Sequence, residues 1–161
     1  YAEEKNVLVI ASVGNSQKEN PNALYYPATY STVIGVGSVN SRGQISTFSQ
    51  RNQSVNIMAE GEKIWTISKN GKQLMTQGTS YATAYVTGAV ATLLSTRPTL
   101  TANQVRNILY GSAKDIQTRG FDTDSGWGII QMTKALEWAE SIPSFPKSIF
   151  LKSSNTQFQQ M

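Results

Sequence analysis

The chain has 161 residues, enough for one domain with a real core and not comfortably for two; 39% apolar and 15% charged residues fit a folded chain with a polar surface. The net charge is +4, yet Lys and Arg are scattered without forming a basic stripe, and no apolar run approaches the about 20 residues of a membrane span, so neither a nucleic-acid partner nor a spanning helix is expected. Cysteine and histidine are both absent, which removes disulfides, thiolate sites and the usual ligands of zinc and other transition metals.

Tyr1-Ala2-Glu3-Glu4-Lys5 reads as the last turn of a helix, broken at Asn6; a start in mid-element without Met leads us to expect a longer parent chain. Val7-Leu8-Val9-Ile10-Ala11 is an unbroken β-branched and aliphatic run, the pattern of a strand buried on both faces of a parallel sheet. Ser12-Val13-Gly14-Asn15-Ser16 follows as a turn at its carboxyl end, where open α/β sheets place their ligand sites. Read alone, Asn15 is a turn residue, because Asn tolerates left-handed backbone and bonds its own neighbours. Residues 17–24 are polar and carry Pro21, a surface loop. Tyr25-Tyr26-Pro27-Ala28-Thr29-Tyr30 then leads to a second apolar run, Val33 to Val39. Its Gly35-Val36-Gly37 is no dinucleotide fingerprint, since the third glycine is missing and the glycines lie within the strand.

Asn40-Ser41-Arg42-Gly43 is a turn, Ile45 to Ser49 reads as framework, and Val55 to Ala59 is a short strand with Glu60-Gly61 as its turn. Glu62 to Ser68 and Lys72 to Thr76 flank Lys69-Asn70-Gly71, and Asn-Gly between extended runs marks a hairpin. Its second arm runs into Gly78-Thr79-Ser80-Tyr81-Ala82. Ala82, Val86, Ala89, Val90, Leu93 and Leu94 recur at the spacings of one apolar helix face, which puts Ser80 in the first turn, where unpaired amides and the helix dipole favour negative charge. The plain reading of such a serine is an N-cap. Thr96-Arg97-Pro98 stops this helix, and Thr101 caps a second over Ala102 to Ala113. Asp122-Thr123-Asp124-Ser125-Gly126 is an acidic turn; a calcium loop fails, because Trp127 stands where that loop needs glycine and its last glutamate is missing. Gly126-Trp127-Gly128 precedes a final helix over Thr133 to Glu140. Residues 1–140 form the domain, and 141–161, rich in Ser, Gln and Asn with Pro143 and Pro146, read as an extended tail.

Gly78-Thr79-Ser80-Tyr81-Ala82 comes close to the Gly-x-Ser-x-Gly elbow of the α/β-hydrolases, but that family's histidine follows its serine, and this chain has none. The stretch resembles more specifically the nucleophile segment of the subtilisin-like serine proteases. So do, in order along the chain, the Gly14-Asn15 turn, the Tyr26-Pro27-Ala28 segment with its Val-Ile strand, and the Gly-x-Gly close at Gly126. The likeness covers about residues 6–139, the C-terminal half of such a catalytic domain. It implies an α/β fold with a mostly parallel sheet flanked by helices, Ser80 as nucleophile and Asn15 as oxyanion donor. It further implies a substrate-binding border made of Ser12, Val13, Gly14, Tyr25 and Thr79. Tyr25 would stand on the pocket floor, where the family often has glycine, and would restrict the side chain accepted there. Tyr26–Pro27 becomes a candidate cis bond, and the carbonyls of Ala28, Tyr30 and Val33 a candidate weak cation site; no other cofactor is implied. Ala84, Tyr85 and Glu60 depart from the family pattern, which has proline and histidine at the first two and often proline at the third.

A serine hydroxyl needs a base, and this chain has no histidine. Lys69 and Lys72 flank a hairpin tip, where a solvated ammonium makes a poor one. The expectation is therefore a serine endopeptidase acting on polypeptides, whose Asp and His come from the N-terminal part of the same protease. The chain alone should be inactive. The alternative is a subtilase-like relative that has lost activity and serves as a binding or regulatory module. The resemblance also implies secretion or residence in the cell envelope.

Overall fold

Residues 1–142 are described by the structure, a computed structural model. The expected tail lies outside them from residue 143 onward.

The chain lays down its strands first and its helices last. Strands β1 (Val9–Ser12), β2 (Val33–Val39) and β3 (Ile57–Glu60) form a parallel sheet in the order β1-β2-β3. Ile10 pairs with Ile34 and Ser12 with Val36; Val36 pairs in turn with Ile57. Every residue of β2 is buried, as its apolar run demands of a central strand. Its faces differ by parity. Ile34 and Val36 point into the larger core, whereas Gly35 and Gly37 point to the other face, where the chain comes very close: a Cβ on Gly35 would sit 1.8 Å from the Ser54 carbonyl oxygen.

The first apolar run forms its strand two residues later than its hydrophobicity suggests. Val7 is exposed, and Val9 and Ile10 are only half-buried. Among the described residues no strand lies beyond β1, and only Ala11 of it is buried, less covered than the sequence pattern leads one to expect. The far edge, beyond β3, is closed by the chain itself. Met58 N–H donates to the Gly128 carbonyl (2.9 Å) and Ile130 N–H donates to the Met58 carbonyl (2.9 Å).

Helix α1 (Thr79–Thr96) lies across one sheet face. It buries Ala82, Val86, Val90 and Leu93 against Ile34, Val36 and Ile57; Ala89 is buried as well, and Leu94 lies at the partly buried margin of the predicted apolar stripe. Helix α2 (Ala102–Ser112) begins at Thr101 in a full capping box with Gln104 and stops one residue before its predicted end. Helix α3 (Met132–Ser141) packs against α2 and α1; Gly111 of α2 is small because the Trp138 ring of α3 lies against it. α3 runs from Met132 through Ser141, one residue more at each end than the helix read from sequence. The N-terminal turn is fastened to α2: Ala102 N–H donates to Asn6 Oδ1 (2.6 Å), and Arg106 pairs with Glu3 at 2.9 Å.

Strands β4 (Ile64–Ile67) and β5 (Gln73–Thr76) form the expected antiparallel hairpin, with Gly71 at φ 78° in its turn. The base of the hairpin is tied to the sheet. Gly61 N–H donates to the Val39 carbonyl (3.0 Å), and Gly78 N–H donates to the Gly61 carbonyl (2.8 Å). This chain of bonds runs from the carboxyl end of β2 to the first turn of α1.

Candidate functional site

Gly78 is the N-cap of α1, with φ 151° and ψ 155°, and itself has no side chain to cap the helix. Ser80 is thus the second helical residue, and the plain N-cap reading is overturned. Its side chain is exposed, although the residues on either side, Thr79 and Tyr81, are buried and half-buried. The hairpin holds this turn in place: Thr76 Oγ1 donates to Tyr81 Oη at 3.2 Å.

Asn15 meets this turn across the sheet end. Its Oδ1 accepts from Thr79 N–H (2.8 Å) and from Thr79 Oγ1 (2.9 Å). These two donors fix the amide orientation, since the flipped rotamer would set NH₂ against N–H. Nδ2 therefore points away from Thr79, on the side of Gly78, and has no hydrogen-bond partner among the described residues. At the helix terminus, Thr79, Tyr81 and Ala82 amides all have acceptors, whereas the Ser80 amide has none among the described residues. Two unpaired donors, Asn15 Nδ2 and Ser80 N–H, thus accompany one exposed hydroxyl. α1 carries no acidic residue in its first turn, so the dipole there is uncompensated.

The rest of the predicted border surrounds Asn15 in sequence and in space. Ser12 ends β1 half-buried, and Val13 is fully buried with its N–H on the Val36 carbonyl (3.1 Å). Gly14 has φ 108° and lies under the Tyr25 ring; a Cβ there would be 2.4 Å from a ring carbon. Ser16 and Tyr25 join their hydroxyls at 2.7 Å, and the Tyr25 carbonyl accepts from the Thr29 hydroxyl (2.9 Å). Tyr25 is therefore pinned over Gly14. The Ser16 anchor was not foreseen, since nothing local in the sequence marks it. The Thr79 hydroxyl, read as part of the substrate border, is spent on Asn15 in a fully buried position. The Tyr26–Pro27 bond is cis. Of the three carbonyls considered for a cation, that of Tyr30 already accepts from Val33 N–H (3.0 Å), which leaves it one lone pair. Lys69 and Lys72 are exposed at the hairpin turn. The acidic turn is closed on itself: Asp122 Oδ1 accepts from the Asp124 and Ser125 amides, both at 2.8 Å.

Fold and site together define the class: an α/β domain that presents a serine hydroxyl at the first turn of a helix packed on the sheet, beside a side-chain amide held at the end of a parallel strand. Comparison with known proteins names it. The family model described as the subtilase family matches residues 1–128, and the chain belongs to that family of serine proteases. It is 35% identical over 132 residues to subtilisin DY of Bacillus licheniformis, covering 81% of this chain and 47% of that protein. Among solved structures it is similar to the prenylagaramide maturation protease PagA, at TM-score 0.74 and 31% identity, over 84% of this chain and 52% of that one. It is also similar to a lanthipeptide protease, at TM-score 0.76 and 25% identity, over 86% and 52%. The chain thus spans about half the length of each of these relatives.

Proposed function

We propose that this chain supplies the nucleophile and oxyanion half of a serine endopeptidase site, the base and its orienting acid being carried by a separate or preceding polypeptide segment. The observation that carries the reading is the Asn15 amide. Thr79 holds its oxygen, so its NH₂ is unpaired next to the exposed Ser80. A catalytically inactive binding module would need neither feature.

In the proposed reaction Ser80 Oγ attacks the scissile carbonyl carbon as an incoming histidine takes its proton. The carbonyl oxygen becomes an alkoxide and accepts hydrogen bonds from Asn15 Nδ2 and Ser80 N–H, with the positive end of α1 behind them. Collapse expels the amine, which leaves with the proton from histidine, and water then hydrolyses the ester on Ser80. Ser12, Val13 and Gly14 line the approach of the acyl segment, and Tyr25 over Gly14 narrows the space for its last side chain. A small residue before the cleaved bond is the expected substrate feature. The two solved relatives are a maturation protease and a lanthipeptide protease. A precursor polypeptide trimmed during maturation is the matching substrate class here. Release to the cell envelope or beyond belongs to the same proposal, and a cation at the Ala28, Tyr30 and Val33 carbonyls would serve structure alone. The test is hydrolysis of peptides with Ala or with Phe before the bond, by the chain reassembled with a histidine-bearing subtilase segment. Ala-preferring cleavage that vanishes in Ser80→Ala is expected; cleavage that survives Ser80→Ala overturns the reading.

A further inference from the structure

Gln50 follows the segment that reads as framework, and nothing in the sequence singles it out. In the structure its long polar side chain is fully buried. Burying an amide is unfavourable unless its polar atoms are bonded. Gln50 Nε2 donates to the Asn20 carbonyl (2.7 Å) and to the Ala23 carbonyl (3.1 Å). Two carbonyl acceptors fix the amide orientation, since the flipped rotamer would set oxygen against oxygen. Gln50 Oε1 is then buried with no partner among the described residues. An unbranched apolar side chain would fill the same space without a bare acceptor. Packing does not call for glutamine here; the two carbonyls do.

Those carbonyls belong to the loop that joins Asn15 to Tyr25. Within it, Asn20 N–H donates to the Ser16 carbonyl (2.7 Å) and Ala23 N–H to the Asn20 carbonyl (3.1 Å), a run of turns. Its ties to the rest of the chain come from residues 48–52. Gln17 N–H donates to the Phe48 carbonyl (3.2 Å), Arg51 N–H donates to Gln17 Oε1 (3.0 Å), and Asn52 Nδ2 donates to the Ala23 carbonyl (3.1 Å). Gln50 also reaches the site itself, where its backbone N–H donates to the Gly14 carbonyl (3.1 Å). One residue thus holds Gly14 with its backbone and, with its side chain, the loop just before Tyr25. The Tyr25 ring rests on Gly14, where a Cβ would lie 2.4 Å from a ring carbon. The Ser16–Tyr25 hydroxyl bond is exposed to competing water, whereas the bonds of the buried Gln50 are sheltered.

We propose that Gln50 is a positioning residue for specificity: it holds the 17–24 loop so that the Tyr25 ring stays over Gly14 and small side chains are favoured before the cleaved bond. This rests on the reading under Proposed function that the space beside Gly14 receives the acyl side chain of a polypeptide. Every contact it uses lies within residues 14–52. A residue that braced the loop for stability alone would leave the choice of substrate side chain unmoved.

Gln50→Met keeps an unbranched side chain of similar length and the backbone bond to Gly14, and removes both donors. Losing two such bonds shifts the closed-to-open ratio of the loop by about thirtyfold. In the 161-residue chain, hydrogen exchange at the Asn20 and Ala23 amides should quicken about tenfold or more, with Val86 and Val90 of α1 exchanging as before. In the chain reassembled with a histidine-bearing subtilase segment, Gln50→Met should raise kcat/KM for Phe over Ala before the bond by about fivefold or more, through KM. In a Tyr25→Ala background the same substitution should move that ratio by less than about twofold, because no ring remains to be placed. The proposal is overturned by unchanged exchange at Asn20 and Ala23, or by faster exchange that spreads into α1. It is equally overturned by an unchanged Phe-to-Ala ratio, or by a ratio that shifts as much without the Tyr25 ring. A reassembled wild type that cleaves neither peptide overturns the protease reading and the specificity role with it. Unchanged loop exchange in an enzyme that cleaves removes the role of Gln50 and leaves the protease reading standing.

Discussion

Replacing Asn15 with Asp separates what this residue does for the fold from what it would do for chemistry. The fold uses only Oδ1, which accepts from the Thr79 amide and hydroxyl at 2.8 and 2.9 Å. Aspartate keeps that oxygen. It also puts a negative charge at a helix terminus whose first turn has no acidic residue, worth about 0.3–1 kcal/mol. Asn15→Asp should therefore match or slightly exceed the wild type in stability. Asn15→Ala strips both buried Thr79 donors of their acceptor and should cost about 1–3 kcal/mol. Thr79→Val removes one of the two bonds at nearly constant volume and should fall between them, near 1 kcal/mol. In a chain of this size each kcal/mol moves the melting temperature by about 2–4 °C, so thermal melts of the chain resolve the order. In the reassembled enzyme Asn15→Asp should instead be as damaging as Asn15→Ala. Both lose the oxyanion donor, a loss of about 10²–10³ in rate, a figure that comes from a subtilisin's own oxyanion asparagine. An Asn15→Asp variant as unstable as Asn15→Ala, or as active as wild type, would refute the assigned amide orientation.

Other expectations follow from single contacts. Gly35→Ala drives a Cβ toward the Ser54 carbonyl oxygen and should destabilise by about 1–3 kcal/mol or more in denaturant titration, while Gly88→Ala should not destabilise at all. Leu93→Ala empties a fully buried position under the sheet and should cost about 2–5 kcal/mol by the same measurement. Burial pushes the Tyr110 hydroxyl from 10.0 up to about 12 against the opposing pull of Arg106. Below pH 10 both folded and unfolded tyrosine keep the proton; between 10 and 12 only the unfolded form sheds it, so stability should fall with rising pH by about 1.4 kcal/mol per pH unit. Melts of wild type and Tyr110→Phe across that window should show the extra slope in wild type alone. Tyr25→Ala uncovers Gly14 and should raise the preference of the reassembled enzyme for Phe over Ala before the bond by about tenfold or more in kcat/KM.

The sequence showed most clearly what depends on short-range pattern. The apolar spacing from Ala82 to Leu93, the Asn70-Gly71 turn and the Thr101 cap each needed no partner far along the chain, and each is in the structure. Positions set by distant contacts were harder to read. Val7 looks as buried as Ile34 in sequence, because hydrophobicity does not say how much of a strand the rest of the chain covers. Ser80 read as a cap, since nothing local shows that a glycine with φ 151° starts the helix and leaves the serine two positions further in. The Thr79 hydroxyl carries no mark of a partner 64 residues away, nor does Ser16 of its bond to Tyr25. The fold family came from several short motifs in order, none of which is decisive alone. The orientation of Asn15, on which the functional reading depends, came only from the three-dimensional contacts.

The most direct measurement is intact mass after treatment with a fluorophosphonate, followed by peptide mapping. It is run on the 161-residue chain alone and on the same chain joined by a histidine-bearing subtilase segment. The account predicts no adduct on the chain alone and one adduct on Ser80 in the joined preparation, abolished by Ser80→Ala. An adduct on Ser80 without any histidine present, or a joined preparation that never labels, would contradict it.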